Sequence, residues 1–384
     1  MRLPPVRTML VIGGLVQTTY GAACVLAMLT ATPAPAGCVP VQPKGPAYLA
    51  FLRTGPEQEK SSQGLWACNL STKQQFRISG SDESVVGKAV YSSVSGVLAW
   101  WSVNEPRGAV PVHSLRVWHS SDEEPATIYR DAEIDPDALS ISPDGLYLVF
   151  GRSRGEFGNG PIRDWGIWQI RTDGTGLRRL TDGFGGRGRS LRPTISPDGK
   201  LIAFYGYLFE EVGSLCLVGR NGGVPEILPL EIRDVAWYPS SKRLIVAQAG
   251  PDNEPWDSRL ASYDIATGCL RALTSYRRAY GDHTPVFSAD GKKLAYFTSH
   301  SQGGTSADCL SVLDLETELT HTIVADADLF SSECVWAADS VSLFYVIRLF
   351  SEEGVDFQVW SARADGASKQ KVLDHARSPV LIAR

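Results

Sequence analysis

Arginine is concentrated in one stretch of the sequence, and it makes that stretch locally basic. Residues 152–192 contain nine arginines and four acidic residues, although the whole chain carries a formal net charge of −5. A guanidinium group binds carboxylates and phosphates through two parallel hydrogen bonds. The stretch is therefore a candidate surface for recognising an anionic group.

A set of arginines, with nearby tyrosines and one tryptophan, is predicted to form this partner-binding surface, because these residue types are typical of binding hot spots. The residues are Arg152, Arg154, Arg163, Arg187, Arg189, Trp256, Tyr276, Arg277, Arg278 and Tyr280. An acidic protein segment, a peptide C-terminus or a polyanionic glycan would suit such a surface. The alternative is that arginine is simply abundant here and that acidic residues neutralise it across the same face. Those residues are Glu210, Glu211, Glu352, Glu353 and Asp356.

One short motif is typical of a catalytic nucleophile. Gly151, Ser153 and Gly155 match the pattern G-x-S-x-G, in which a hydrolase places the serine on a sharp turn between a strand and a helix. A glycine-rich loop follows here instead of a helix, so no catalytic residue is predicted. The six histidines lack the spacing of metal ligands. We therefore expect neither a metal nor another cofactor.

Residues 1–37 have the pattern of an export signal. A basic start precedes an uncharged stretch at 8–31, and the sequence Ala34-Pro35-Ala36 fits a signal-peptidase cleavage site. Residues 38–45 are predicted to be a short linker. The alternative is that residues 8–31 remain as a membrane anchor, since they are numerous enough to span a bilayer.

Cys38 is a candidate for lipidation. It follows Ala36-Gly37, as the modified cysteine of a bacterial lipobox does, although Pro35 stands where that motif usually has leucine. Cys24, after two alanines, is a weaker second candidate. The protein is therefore expected in the bacterial periplasm or on a membrane as a lipoprotein, and membrane contact is expected only through this lipid or through a signal anchor.

A repeat near fifty residues long must position all of these residues. Its clearest copies are 141–150, 195–204 and 287–297, in which an apolar run, a turn such as Ser-Pro-Asp-Gly and a second apolar run follow one another. Proline and glycine in these positions favour a tight turn between antiparallel strands. Each copy continues with two more predicted strands, and four antiparallel strands form one blade of a propeller.

The two ends of the chain are predicted to share one blade. Residues 46–79 read as the second, third and fourth strands of a blade without the first, and residues 378–383 match the first strand at 284–289. Six complete units and this composite unit give an all-β fold, a seven-bladed β-propeller over residues 46–384, with ring closure by the C-terminal strand. Such closure protects inner strand edges that would otherwise pair with other chains.

The repeat resembles that of the TolB-like propellers of bacterial envelope proteins. The resemblance rests on the Ser-Pro-Asp-Gly turn, the later Asp-Gly turn at 173–174 and the Arg-x-Leu-Thr strand at 178–181. One departure concerns the α/β domain that precedes the propeller of TolB, for which residues 38–46 leave no room. The same repeat also occurs in propellers of some peptidases and lyases, so it implies a fold rather than a chemistry.

These observations favour a non-enzymatic, exported, monomeric propeller that binds an envelope protein or peptide, with an anionic one suited to the predicted arginine surface. The acidic net charge argues against nucleic acid. The main alternative is an enzyme that acts on a polymer, a glycan or a peptide, at the propeller channel. A small ligand or metal ion in the channel is a third possibility.

Overall fold

The computed structural model describes residues 47–54, 64–81, 83–104, 111–154, 164–181, 189–207, 213–250, 257–277, 280–300, 308–326, 328–351 and 354–383. They belong to one compact unit, Pro40–Arg384, and the other unit, Met1–Val39, lies outside them. The export signal at 1–37, the linker at 38–45 and lipidation of Cys38 therefore stay predictions. Within the described ranges there is no helix, and hence none that could cross a membrane.

The described residues form 27 strands, numbered here in chain order. They are β1 (Ala47–Arg53), β2 (Gly64–Asn69), β3 (Gln75–Arg77), β4 (Ser84–Ser92), β5 (Val97–Asn104), β6 (Val112–His119), β7 (Ala126–Asp131), β8 (Ile134–Ile141), β9 (Tyr147–Arg154), β10 (Asp164–Arg171), β11 (Arg178–Arg179), β12 (Arg189–Ile195), β13 (Leu201–Tyr207), β14 (Gly213–Gly219), β15 (Glu226–Trp237), β16 (Arg243–Ala249), β17 (Ser258–Asp264), β18 (Leu270–Ala272), β19 (Tyr280–Phe287), β20 (Lys293–His300), β21 (Asp308–Asp314), β22 (Thr320–Asp326), β23 (Leu329–Trp336), β24 (Ser342–Ser351), β25 (Gly354–Arg363), β26 (Gln370–Asp374) and β27 (Ala376–Ala383).

The strands pair in antiparallel groups of four, which confirms the predicted all-β class. Three groups are separate sheets, in the orders β27-β1-β2-β3, β4-β5-β6-β7 and β23-β24-β25-β26. The remaining strands form one sheet of 15 strands, β8 to β22. In that sheet, β15 belongs to two successive groups, and short parallel contacts join β10 to β12 and β17 to β19. We call each group of four a unit and its first strand the inner strand.

The turn between the first two strands of a unit has the same geometry in its three clearest copies. The hydroxyl of Ser142, Ser196 or Ser288 donates to the aspartate two residues later at 2.6, 2.7 and 2.6 Å. The glycine that follows has φ of 69°, 70° and 70°. Such positive φ values favour glycine, so the predicted turn chemistry accounts for the observed turns.

The inner strands begin earlier than the apolar pattern predicts. The pattern places their starts near residues 89, 138, 193, 235, 285 and 334, whereas β4, β8, β12, β19 and β23 start four or five residues upstream and β15 nine. A register shift interrupts the pairing of each inner strand with its neighbour. Such bulges bend a strand and break its alternation of side chains, which explains why the pattern missed these segments.

Apolar side chains hold neighbouring units together. One core cluster joins β5 and β6 to β9 and β10 through Trp101, Leu115, Leu148 and Phe150, all fully buried. Equivalent clusters join each further pair of units, and two of them place the β1 unit against both the β4 unit and the β23 unit. Burial of apolar surface between the sheets is therefore the main stabilising term of the fold.

Candidate functional site

The inner strands surround one cavity of about 620 Å³, a volume typical of ligand sites. All seven inner strands contribute to its lining, most of them with a polar side chain. The polar contributors are Lys88 of β4, Asp137 of β8, Arg192 of β12, Asp234 of β15, Thr284 of β19, Glu333 of β23, and Arg377 and Ser378 of β27. The cavity thus combines carboxylates, cations and hydroxyl groups.

The register shifts bring these side chains to the cavity. Arg192, Thr284 and Ser378 have φ of 49°, 49° and 51°, in the left-handed region. A residue other than glycine costs roughly 1–2 kcal/mol in that conformation. The repeated conformation indicates that the inner strands share one bent backbone at the cavity, whatever side chain each of them carries.

Two of the cavity carboxylates are fixed by the following unit. Glu333 is buried and accepts hydrogen bonds from the Ser378 backbone N–H at 2.5 Å and from its hydroxyl at 2.7 Å. Asp234 accepts from the Thr284 N–H at 2.9 Å and from the Tyr205 hydroxyl at 3.2 Å. These carboxylates satisfy backbone donors at the bends, so they are poorly placed to exchange a proton with a ligand.

Asp137 differs from them because its side chain is exposed at the cavity. Its carboxylate accepts no hydrogen bond from a residue within the described ranges, while its N–H donates to Asp135 Oδ1 at 3.1 Å. Burial raises the pKa of Asp135, the Asp137 charge adds to this effect, and Arg192 opposes it. Two neighbouring carboxyl groups in such different surroundings suit proton transfer.

Three cations border the same cavity. Lys88 and Arg192 are exposed, and the half-buried Arg377 lies over the Phe357 ring at 5.4 Å. Lys88 is close enough to Cys334 to oppose the effect of burial, which raises the pKa of that thiol to about 12. These cations can hold an anionic ligand or stabilise negative charge that develops on one.

His283 lies beside this cavity but carries no sign of a catalytic triad. Its Nε2 contacts the Ser299 hydroxyl at 2.8 Å, and its Nδ1 contacts the Thr284 hydroxyl at 3.0 Å. A triad requires a carboxylate in the second position, and burial lowers the pKa of His283. We therefore interpret it as a structural histidine.

Across the described residues, no three His, Cys, Asp or Glu side chains are grouped so that they could hold a metal ion.

The repeat pattern predicts loops between strands for the first group of arginines, whereas the structure places the described members of the group in strands. Arg152 and Arg154 end β9, and Arg189 begins β12. Arg152 forms an ion pair with Asp131 and lies 4.7 Å from the Trp168 ring centre, so this guanidinium is already engaged. It pairs with Ile134 at the start of β8, close to Asp135 and Asp137.

The second predicted group lies two units further along. Tyr276 donates to the Ala249 carbonyl oxygen at 2.9 Å, and Arg277 binds the buried Asp282 at 3.2 Å and lies over the Tyr280 ring at 5.1 Å. Tyr280 begins β19 rather than lying in a loop. Arg163, Arg187, Arg278 and Trp256 lie outside the described residues, and the partner-binding role of the whole set stays a prediction.

The residues that line the cavity were missed by sequence reasoning, although a signal was present. In every copy the lining residue immediately precedes the first apolar run of the repeat. This column, read in chain order, is Lys88, Asp137, Arg192, Asp234, Thr284, Glu333 and Ser378. All seven are polar, so an alignment of the copies one position upstream would have exposed them.

The comparisons with known proteins give a fold but no family. No family model matches the chain, and no curated protein matches it. Among solved structures, TolB from Acinetobacter baumannii is 16% identical with a TM-score of 0.53, over 88% of this chain and 67% of that one. The structural neighbours are thus TolB and related β-propeller proteins, and the fold is propeller-like.

Other neighbours with this fold are enzymes. An oligogalacturonate lyase from Vibrio parahaemolyticus is 11% identical, with a TM-score of 0.58 over 86% of this chain and 87% of that one. A periplasmic gluconolactonase from Pseudomonas aeruginosa is 13% identical, with a TM-score of 0.55 over 88% and 99%. Prolyl endopeptidases give a TM-score of 0.61 at 14% identity, but only 49% of their chain is covered.

These neighbours correct the functional expectation. The prediction of a non-enzymatic binding protein was wrong, because it took the propeller as a scaffold for recognition alone, whereas enzymes recur among the propellers similar to this one. The alternative, an enzyme that acts on a polymer at the channel, is the better supported interpretation. Identities of 11–14% leave the reaction to be argued from the cavity itself.

Proposed function

We propose that this chain is an exported propeller enzyme that cleaves a glycan in the cavity between its inner strands. The observation that carries the proposal is the column of seven polar residues around one cavity of about 620 Å³. An exposed carboxylate and several cations share that cavity, which is the combination that acid–base cleavage of an anionic glycan requires.

The fold that would hold this site is a seven-bladed ring closed by β27. Support comes from the antiparallel pairing of β27 with β1, which runs from Ala47 opposite Ala383 to Arg53 opposite Ala376. Further support comes from the apolar clusters that join the β1 unit to the β4 unit and to the β23 unit. Membership of the TolB-like propellers is proposed on the same repeat and on the similarity to TolB.

Asp137 is the proposed general acid–base group. It is the cavity carboxylate that no described donor occupies, whereas Asp234 and Glu333 are held by backbone N–H groups. In an eliminative cleavage, Asp137 would take the proton from the carbon next to a sugar carboxylate. The electron pair forms a carbon–carbon double bond, the glycosidic C–O bond breaks, and the departing oxygen receives a proton.

The cations have the complementary role. Removal of that proton places negative charge on the sugar carboxylate, and a nearby Lys88 or Arg192 would stabilise it. Arg154 ends β9, the strand that pairs with β8, and Arg189 begins β12. Their charge would raise the local concentration of an anionic polymer, which gives the predicted arginine residues a substrate-attracting role.

A peptide substrate is the second half of the sequence-based alternative, and nothing specific favours it. The prolyl endopeptidases match this chain over only 49% of their length. The serine and histidine that do meet, Ser299 and His283, lack the carboxylate of a triad.

Export is proposed on the pattern of residues 1–37 and on the periplasmic location stated for the gluconolactonase neighbour. Mass spectrometry of the mature protein tests it and also tests lipidation. A chain that begins at residue 37 or 38 indicates cleavage, and an added lipid mass places the modification on Cys38. An intact Met1 in the mature protein would contradict export by cleavage.

The enzymatic proposal is tested by incubating the chain with a panel of acidic and neutral oligosaccharides. New reducing ends report cleavage, and ultraviolet absorbance by the unsaturated product reports elimination. We expect Asp137→Asn to lower the rate by at least about 100-fold. The matched control is Asp326→Asn, an exposed residue on the outermost strand β22, which should retain full activity. Equal activity of the two variants would exclude Asp137, and no cleavage of any substrate by the parent chain would count against an enzyme.

A further inference from the structure

A second cavity opens beside the first one. It has a volume of about 350 Å³ and shares Val85 and Arg377 with the cavity between the inner strands. The end of β1 forms one side of it, and the starts of β2, β4 and β25 contribute the rest. The lining residues are Leu52, Arg53, Thr54, Gly64, Ser84, Val85, Val355, Phe357 and Arg377. We call this cavity the arginine pocket.

Two arginines border the pocket, and neither is neutralised by a described carboxylate. Arg53 lies 3.9 Å from the Trp66 ring centre and donates to the neutral amide oxygen of Gln75. Arg377 lies over Phe357. The ion pairs formed within the described ranges include neither of them. Aromatic rings therefore hold both guanidinium groups in place while their charge stays available.

The surroundings increase the positive charge of the pocket. Burial lowers the pKa of Arg53, and the nearby charge of Arg77 lowers it further. Arg77 itself donates to the carbonyl oxygens of Ser79 and Gly80 at 3.0 and 2.6 Å. A further arginine thus stands close to Arg53 and adds positive charge beside the pocket, which favours an anion there.

One carboxylate, that of Asp356, contacts a pocket residue, and it is held by partners other than Arg53 and Arg377. Asp356 accepts a hydrogen bond from the Thr54 hydroxyl at 3.2 Å and lies 2.8 Å from His375 Nδ1. The second carboxylate that contacts the β27 segment, Glu333, is occupied by Ser378. Neither side chain provides the counter-charge for Arg53 and Arg377.

We infer that the arginine pocket binds the carboxylate of a uronic acid unit, so that the glycan cleaved in the adjacent cavity is an acidic one. The inference rests on the proposed glycan-cleaving function, which it deepens by naming the substrate class. Guanidinium forks fit a planar carboxylate, and the hydroxyl of Ser84 can bind a sugar oxygen. The shared residues Val85 and Arg377 allow one chain to occupy both cavities.

The test is a calorimetric binding measurement on the exported form of the chain, residues 38–384, with three probes. Glucuronic acid should bind, glucose should not bind measurably, and inorganic phosphate should bind at least 10-fold more weakly than glucuronic acid. Binding of glucuronic acid should weaken as salt is added, because the contact is between charges. The glucose arm isolates the carboxylate, since the two sugars differ only in that group.

Variants assign the binding to the pocket. Arg53→Met and Arg377→Met should each weaken glucuronic acid binding by at least 10-fold, whereas Lys369→Met, at an exposed lysine that lines neither cavity, should not change it. Arg53→Lys keeps the charge and should lose less affinity for glucuronic acid than Arg53→Met does. It also keeps the test decisive if loss of the stack on Trp66 prevents folding.

Several outcomes would overturn the inference. They are equal binding of glucuronic acid and glucose, absence of binding by both, unchanged binding in both arginine variants, and a preference for phosphate. Failure of the proposed function looks different, because glucuronic acid would then bind through the two arginines although no oligosaccharide is cleaved. Conversely, cleavage of an acidic glycan with unchanged glucuronic acid binding in both arginine variants would retain the enzyme and reject the arginine pocket as the carboxylate site.

Discussion

The two ends of the inner strands differ in how much their residues vary from unit to unit. At one end, the turn into the second strand has nearly the same hydrogen-bond geometry in three units, with serine-to-aspartate distances of 2.6, 2.7 and 2.6 Å. At the other end, the same three units present Asp137, Arg192 and Thr284 to the cavity. We call these the turn end and the cavity end.

The difference reflects what each end must satisfy. At the turn end, the aspartate accepts the N–H two residues on and the serine hydroxyl, and the glycine needs a positive φ, so few sequences fulfil all three demands. At the cavity end, the backbone bulge forms the bend, and this bend is compatible with any polar side chain. These three repeats are therefore uniform at the turn and variable at the cavity, where a ligand would bind.

The largest effect is expected from removing the strand that the proposed ring needs. Deletion of residues 376–384 leaves β1 without its inner partner and exposes Leu49, Ala50 and Phe51, which are fully buried. We expect the free energy of unfolding to fall by more than about 5 kcal/mol. The loss would be seen as aggregation or as a thermal transition at lower temperature. A synthetic peptide of residues 376–384 added in trans should restore part of the stability. A deletion that melts like the parent chain would refute the proposed closure.

The architecture was predictable from sequence because its signals are local. Turn residues at fixed offsets and apolar runs of four to six residues predicted the second strand of each unit and the pairing of the chain ends. Ala47 and Ala383 do pair in the structure. What could not be predicted was the first part of each inner strand, since a bulge at the cavity end breaks the alternation on which strand prediction rests.

The site was harder to predict because its residues are far apart in sequence. Lys88 and Ser378 are almost three hundred positions apart in the chain, yet both line one cavity. Arginine enrichment drew attention to Arg152 and Arg277, yet both form ion pairs with aspartates of the protein. A high local density of arginine therefore indicates ion pairs within the fold as readily as it indicates a binding site. The polar residue before each apolar run is the signal that indicates the cavity.

The uniformity of the turn end can be tested with two glycines that have the same φ. A Cβ on Gly145 would lie 1.8 Å from Ser95 Oγ and 2.7 Å from its Cβ, while a Cβ on Gly199 meets nothing closer than the Tyr147 hydroxyl at 3.4 Å. Gly199→Ala should cost about 1–2 kcal/mol from the left-handed backbone alone. Gly145→Ala should cost about 1–3 kcal/mol more, measured by denaturant unfolding. Equal losses would show that contacts between units do not distinguish the turns.

The cavity end should be sensitive to pH through His283. Burial lowers its pKa below the ordinary value of 6.5, against the charges of Asp234, Asp308 and Asp282. The unfolded chain then binds a proton that the folded chain does not. Stability is therefore complete above pH 6.5 and falls as the pH drops through that value, by at most about 1.4 kcal/mol per pH unit. His283→Gln should flatten this slope, and the exposed control His321→Gln should leave it unchanged. If the free energy of unfolding of His283→Gln still falls with pH at the same slope, the pH dependence belongs to other groups.

The smallest effect is expected at the turn aspartates, and it separates the two ends most directly. Burial opposes ionisation of Asp290, but hydrogen bonds from Ser288 and the Lys292 N–H, with the charges of Lys293 and Lys292, lower its pKa below 3.8. Its contribution is therefore present above pH 3.8 and is lost as the pH falls through the lowered pKa. Because Asp290 is largely exposed, Asp290→Asn should cost only about 0.5 kcal/mol at neutral pH.

The same replacement at the cavity end provides the contrast. Asp137→Asn removes a carboxylate that accepts no hydrogen bond from the described residues, so it should leave the free energy of unfolding unchanged while it abolishes cleavage. Urea unfolding of both variants at neutral and acidic pH, beside the activity assay, measures the two effects together. Should Asp137→Asn destabilise the chain as much as Asp290→Asn does, the carboxylate at the cavity would be part of the scaffold, and the division between a uniform and a variable end would not hold.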